Sequence, residues 1–106
     1  MELPDIQKEL EAFTEQYQLY VLPEIAALDL ASEVGELAKE VLQTTKYGTA
    51  EPVYREELGD ELGDVLYALI TLANHYDVDL EAALESRLDS YKRRIANGGM
   101  GSKHER

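Results

Sequence analysis

Residues 55–67 read REELGDELGDVLY, and the four acids Glu57, Asp60, Glu61 and Asp64 within this stretch govern how the rest of the chain is understood. They interrupt a helical apolar pattern of Leu58, Leu62, Val65, Leu66, Leu69, Ile70 and Ala73, with no basic residue among them. On a helix turning about 100° per residue, the four fall within an arc of roughly 100°, directly beside the apolar stripe. Like charges three or four residues apart destabilise a helix by about 0.2–0.5 kcal/mol per pair. A helix that repeats acid at that spacing needs a compensating cation.

Upstream, SEVGELAKE repeats the design: Glu33, Glu36 and Glu40 share an arc of roughly 60° flanking an apolar stripe of Leu28, Ala31, Val34, Leu37, Ala38, Val41 and Leu42. Two antiparallel helices packed by these stripes are expected to bring the acidic edges into one partly dehydrated cleft. Crowding and desolvation there raise carboxylate pKa values until cations enter. An acidic face is ordinarily only a solvated surface. Here the acids border the apolar stripe instead of lying opposite it, and Gly35, Gly59 and Gly63 sit among them. Each interior glycine costs a helix up to about 1 kcal/mol relative to alanine, which close helix packing would offset. Carboxylate oxygens without imidazole or thiolate select hard divalent ions, Mg²⁺ first and Mn²⁺ as its substitute. Magnesium in turn completes its shell with phosphate oxygens and acidifies water, so the chemistry indicated is attack of water on a polyphosphate.

The chain has no cysteine, which excludes a disulfide framework and thiolate metal sites. A net charge of −12 excludes gripping nucleic acid with a basic surface. No apolar run is long enough to cross a membrane and the N-terminus lacks the order of a secretion signal, so the expected location is the cytoplasm.

Periodicity divides the chain into four helical segments. The first starts near Pro4 and carries Ile6, Leu10, Phe13, Tyr17 and Tyr20; the second opens at Pro23 and stops at Gly48. The third follows Pro52 and runs to about Tyr76, and the fourth, capped by Asp77 or Asp79, ends at Asn97-Gly98-Gly99. No strand alternation is present. The expectation is one all-α, four-helix bundle-like domain over residues 1–96 with a flexible tail at 97–106. Broad apolar stripes on so small a chain predict a homodimer or homotetramer.

Glu33-x-x-Glu36 and Glu61-x-x-Asp64, with GEL and ELGDVL around them, resemble the MazG-like all-α nucleoside triphosphate pyrophosphohydrolases. The resemblance runs from about Leu28 to Arg94. It implies hydrolysis of a nucleoside triphosphate to monophosphate and pyrophosphate with magnesium, in nucleotide-pool cleansing, and makes Glu33, Glu36, Glu61 and Asp64 the metal ligands and catalytic carboxylates. Glu40, Glu57 and Asp60 share those faces by wheel geometry alone. On the last segment, SYKRR matches the family's phosphate-binding pattern at Tyr91 and Arg94, with Lys92 beside them. Two positions depart from the pattern. Ser32 stands where some members carry an acid proposed to activate water, and Ser90 replaces a lysine.

Asn74 is a candidate base contact, Lys46 reads as a helix-end cation, and His75 and His104 have no partner pattern. Two alternatives stay open: a phosphoribosyl-ATP pyrophosphatase, and a non-catalytic acidic helical module that binds a basic partner.

Overall fold

Proline and left-handed residues set the helix boundaries. The computed structural model describes residues 1–98 and contains α1 (Leu3–Gln16), α2 (Pro23–Thr44), α3 (Glu56–His75) and α4 (Leu80–Ala96), with no strand among the described residues. Pro23 is the first helical residue of α2, where its missing N–H costs nothing. The Asp79 carboxylate accepts from the Ala82 N–H at 3.1 Å and caps α4. Most of the expected tail, with His104, lies outside the described residues; Asn97 and Gly98 close α4.

Two helix ends differ from the periodic reading, each for a local reason. α1 stops at Gln16, so Tyr17 and Tyr20 are not helical: Gln18 turns left-handed at φ 55°, and the Leu19 N–H reaches back to the Thr14 carbonyl at 2.8 Å. α2 ends the same way before Gly48, with Lys46 at φ 51° and the Tyr47 N–H on the Leu42 carbonyl at 2.7 Å. α3 ends at His75, within a residue of the expected Tyr76, by the same closure: Asp77 follows at φ 57° and the Val78 N–H lies on the Ala73 carbonyl at 3.0 Å. These are Schellman closures built without glycine at the left-handed position. α3 also begins later than Pro52, at Glu56.

α2 and α3 form an antiparallel hairpin: Glu40 near the end of α2 meets Arg55 at the start of α3, while Ala26 and Ala68 share a cavity wall at the opposite end. Only part of the stripes expected from hydropathy is covered: Leu37 of α2 and Leu58 and Val65 of α3 are half-buried, and Ile70 and Ala73 of α3 are buried. The covered residues of α2 are Ala26, Leu30, Glu33, Leu37 and Glu40, spaced four and three apart, whereas Leu28, Val34, Val41 and Leu42 stay exposed. On α3 the seam holds Leu58, Glu61, Val65 and Ala68, and Leu62, Leu66 and Leu69 are exposed. The rest of the stripes faces outward.

α1 lies on α3 and α4 leans on α1. Gln7, buried on α1, joins three elements. Its Nε2 donates to Asn74 Oδ1 at 3.1 Å and to the Val78 carbonyl at 2.8 Å, Asn74 Nδ2 donates to the Gln7 carbonyl at 3.0 Å, and the Leu80 N–H donates to Gln7 Oε1 at 2.9 Å. The buried apolar residues among those described are only Ala26, Ala68, Ile70 and Ala73. The radius of gyration, 17.0 Å, exceeds the ~13 Å of a compact chain this long. Close packing does not explain the glycines within this chain either: a Cβ at Gly35 or Gly63 would meet nothing within 4 Å, and one at Gly59 only the Tyr54 hydroxyl at 3.5 Å. No helix is long and apolar enough to cross a membrane among the described residues.

Candidate metal and phosphate site

Because the acid-bearing edges form the α2–α3 seam, carboxylates from both helices converge. Glu33, Glu61 and Asp64 each offer an oxygen, and the three oxygens lie within 4.8 Å of one another. Glu33 and Glu61 are half-buried and Asp64 is exposed. Glu36 is exposed on the next turn of α2 and does not join that group, but its charge still reaches Glu61. Partial burial pushes the Glu61 carboxyl above the usual glutamate range, and Asp64, then Glu36, Glu33 and Glu40, push it further. Three all-oxygen ligands at this separation fit a hard divalent ion, which would reverse the repulsion that raises Glu61.

Arg55 is the cation that the acid-rich pattern lacked. Its Nε donates to Glu40 Oε2 at 2.5 Å, and Glu57 Oε1 lies 3.9 Å away. Glu40, expected only as an outer acid of the cleft, is a buried carboxylate held by this pair. The hydrogen bond that Arg55 donates to Glu40 holds the guanidinium proton more tightly than usual. Sequence reading missed Arg55 because it lies 15 residues from Glu40, just outside the periodic part of α3. Asp60 is exposed.

Beyond the triad, a cavity of about 430 Å³ is lined by Glu33 and Asp64 together with Asp29, Ala26, Leu19, Val21, Tyr67, Ala68 and Thr71. Asp29 went unrecognised in the sequence, although its place four residues before Glu33 was the available signal. Thr71 Oγ1 is a buried oxygen with no hydrogen-bond partner, a condition that costs about 1–3 kcal/mol. The α4 candidates stand apart from this cavity. The Tyr91 ring lies under two guanidinium groups, Arg87 at 5.1 Å and Arg94 at 5.8 Å, and Lys92 is exposed. Asn74 is already engaged by Gln7, and Lys46 occupies the left-handed position that ends α2.

The profile of the MazG nucleotide pyrophosphohydrolase domain matches residues 23–98, which takes in both carboxylate helices and α4. The chain belongs to the MazG nucleotide pyrophosphohydrolase family. It is a hydrolase by that membership. Among proteins similar to this MazG chain is YpjD of Bacillus subtilis, a protein of uncharacterised function. It is 33% identical over 96 residues, covering 87% of this chain and 85% of YpjD. The crystal structure of a Bacillus-conserved MazG protein, a nucleotide pyrophosphohydrolase, superposes with a TM-score of 0.73 at 34% identity, over 86% of this chain and 90% of that one. The solved structure of Bacillus subtilis YpjD gives the same TM-score, 0.73, at 34% identity over 89% and 96% of the two chains.

Proposed function

We propose that this MazG domain is a Mg²⁺-dependent pyrophosphohydrolase of nucleoside triphosphates, releasing the monophosphate and pyrophosphate. The observation that carries the reading is the convergence of the Glu33, Glu61 and Asp64 oxygens within 4.8 Å across two helices. Those residues, with Glu36 from the adjacent turn, would hold the divalent ions, Mn²⁺ serving as a substitute. Bound there, the ions supply charge neutralisation and Lewis acidity toward phosphate oxygens. The chain's own contribution is to fix the carboxylates in the seam before any ligand arrives. Ser32 carries no carboxylate, so it is no general base. Arg94 and Tyr91, with Lys92 beside them, are assigned to phosphate contact on the strength of the family pattern.

We further propose a homodimer or homotetramer, supported by the outward stripes: Leu28 is 65% exposed and Leu62 52%. Exposed apolar patches of this kind mark association surfaces. The cellular role that fits is cleansing of the cytoplasmic nucleotide pool.

Pyrophosphate release from a panel of ribo- and deoxyribonucleoside triphosphates, with magnesium and then with chelator, tests the activity. Turnover is expected only with metal, and Glu36→Gln and Asp64→Asn are expected to abolish most of it. Metal-independent turnover, or full activity in both variants, would remove the carboxylate mechanism. A panel-wide absence of turnover would remove the enzyme.

A further inference from the structure

The cleft continues past the carboxylates. A second cavity of about 340 Å³ shares Leu19, Val21 and Thr71 with the one that holds Glu33 and Asp64, and extends to Tyr20 and His75. Asp64, Ala68, Thr71 and His75 are spaced four, three and four residues apart, so they lie on one face of α3. Thr71 stands about 10 Å along the helix from Asp64, and His75 about 16 Å, at 1.5 Å per residue. The two cavities adjoin along these shared residues as a groove, with Glu33 and Asp64 at one end and an aromatic pair at the other.

We infer that the far half of this groove binds the nucleoside part of the substrate, base and sugar, with Thr71 as the residue that reads a polar atom of it. The inference rests on the proposed pyrophosphohydrolase activity and adds to it where the uncharged end of the nucleotide lies. Three observations support it. The wall common to both cavities carries the unpartnered Thr71 hydroxyl, and helical threonine populates two χ1 wells, so the oxygen can turn onto the groove. At the far end the Tyr20 and His75 rings meet edge to face, centroids 5.1 Å apart, and Tyr20 is 70% exposed, leaving a ring face for a base. Glu11 and Glu15 rim the same end and repel phosphate. A nucleotide therefore enters with its phosphates toward the metal-binding carboxylates and its neutral half toward the rings. Asn74, although it lines this cavity, acts as fixed wall because Gln7 engages its amide.

Thr71→Val and Tyr20→Ala test the assignment. Valine keeps the shape of Thr71 and removes a hydroxyl that has no partner, so it folds at least as stably. Each variant is expected to raise KM for the best triphosphate of the panel by about 3- to 10-fold, the value of one hydrogen bond or contact, with kcat and the Mg²⁺ concentration at half-activation unchanged. KM within twofold of the parent in both variants, or a shifted Mg²⁺ midpoint, overturns it. A second arm needs no turnover: free adenosine, guanosine, cytidine and uridine are titrated into metal-free protein and followed by amide NMR. Shifts at Thr71 and His75 support the groove even if the activity assay fails. Shifts confined elsewhere, or none at millimolar nucleoside, overturn it even if the assay succeeds.

Discussion

The α2–α3 seam and the outer faces of the same two helices invert the usual division of labour. The seam buries Glu40, half-buries Glu33 and Glu61, and is otherwise lined by small or aliphatic residues, whereas Leu28, Val34, Leu62 and Leu66 face outward. In a chain that folds for itself alone, hydrophobic burial dominates and such residues go inside. Here carboxylates occupy the seam while much of the apolar surface of α2 and α3 is exposed. The seam is therefore electrostatically strained and specific, and the outer face is sticky and unspecific. Each region should respond to a different perturbation.

The sharpest break in the comparison is loss of a carboxylate proposed to hold metal. Asp64→Asn should cost more than about 100-fold in kcat/KM, since even residues that merely support a metal ligand cost 10- to 100-fold, while circular dichroism shows an unchanged helix content. Loss of the Arg55–Glu40 pair comes next. Arg55→Met leaves a buried carboxylate without its cation, so the melting temperature should fall well below that of Asp60→Asn, an exposed acid on the same helix. The exchange Glu40→Arg with Arg55→Glu should recover part of the loss. An equal fall in the Asp60 variant would mean the pair contributes no more than any surface charge.

The third test concerns pH. The Glu61 carboxyl is held above its ordinary range, first by burial and then by its acidic neighbours. The stability carried by its protonated form is therefore fully present below the ordinary glutamate pKa and lost as pH rises through the raised folded value. Without metal, Glu61→Gln should melt above the parent at about pH 7, and the gap should close toward about pH 4. Saturating Mg²⁺ should erase the advantage at neutral pH by stabilising the parent. A variant that melts below the parent at neutral pH without metal would show that Glu61 is not strained.

The smallest expected effect probes the outer face. Gly63→Ala meets nothing within 4 Å in the protomer, so helix propensity alone predicts a gain of about 1 kcal/mol. If a second copy covers that face closely, the same change destabilises and shifts the sedimentation coefficient toward the monomer. The sign of the effect separates the two.

Much of this was legible in sequence. Periodicity set four helices because stripes at three- and four-residue spacing survive in any packing, and Pro23 and Asp79 marked helix starts through their own chemistry. Of the four acids expected to converge, Glu33, Glu61 and Asp64 do so and Glu36 stays outside the group. What hydropathy could not tell was which edge of α2 its own chain would use, because the exposed Leu28, Val34, Val41 and Leu42 are as apolar as the covered Leu30 and Leu37. The helix ends before Gln18 and Lys46 were hidden because side chains of ordinary type were placed in backbone conformations that usually signal glycine. Arg55, Gln7 and Thr71 matter through partners distant in the chain or through the lack of any, and neither leaves a periodic trace.

Gln7 and Asn74 fasten α1 to the end of α3 with amides alone. Amides neither titrate nor attract counterions, so this fastening is indifferent to acidification, to added salt and to whatever dications the carboxylates hold. One wall of the groove thus stays fixed in place while the charge state at the other end changes.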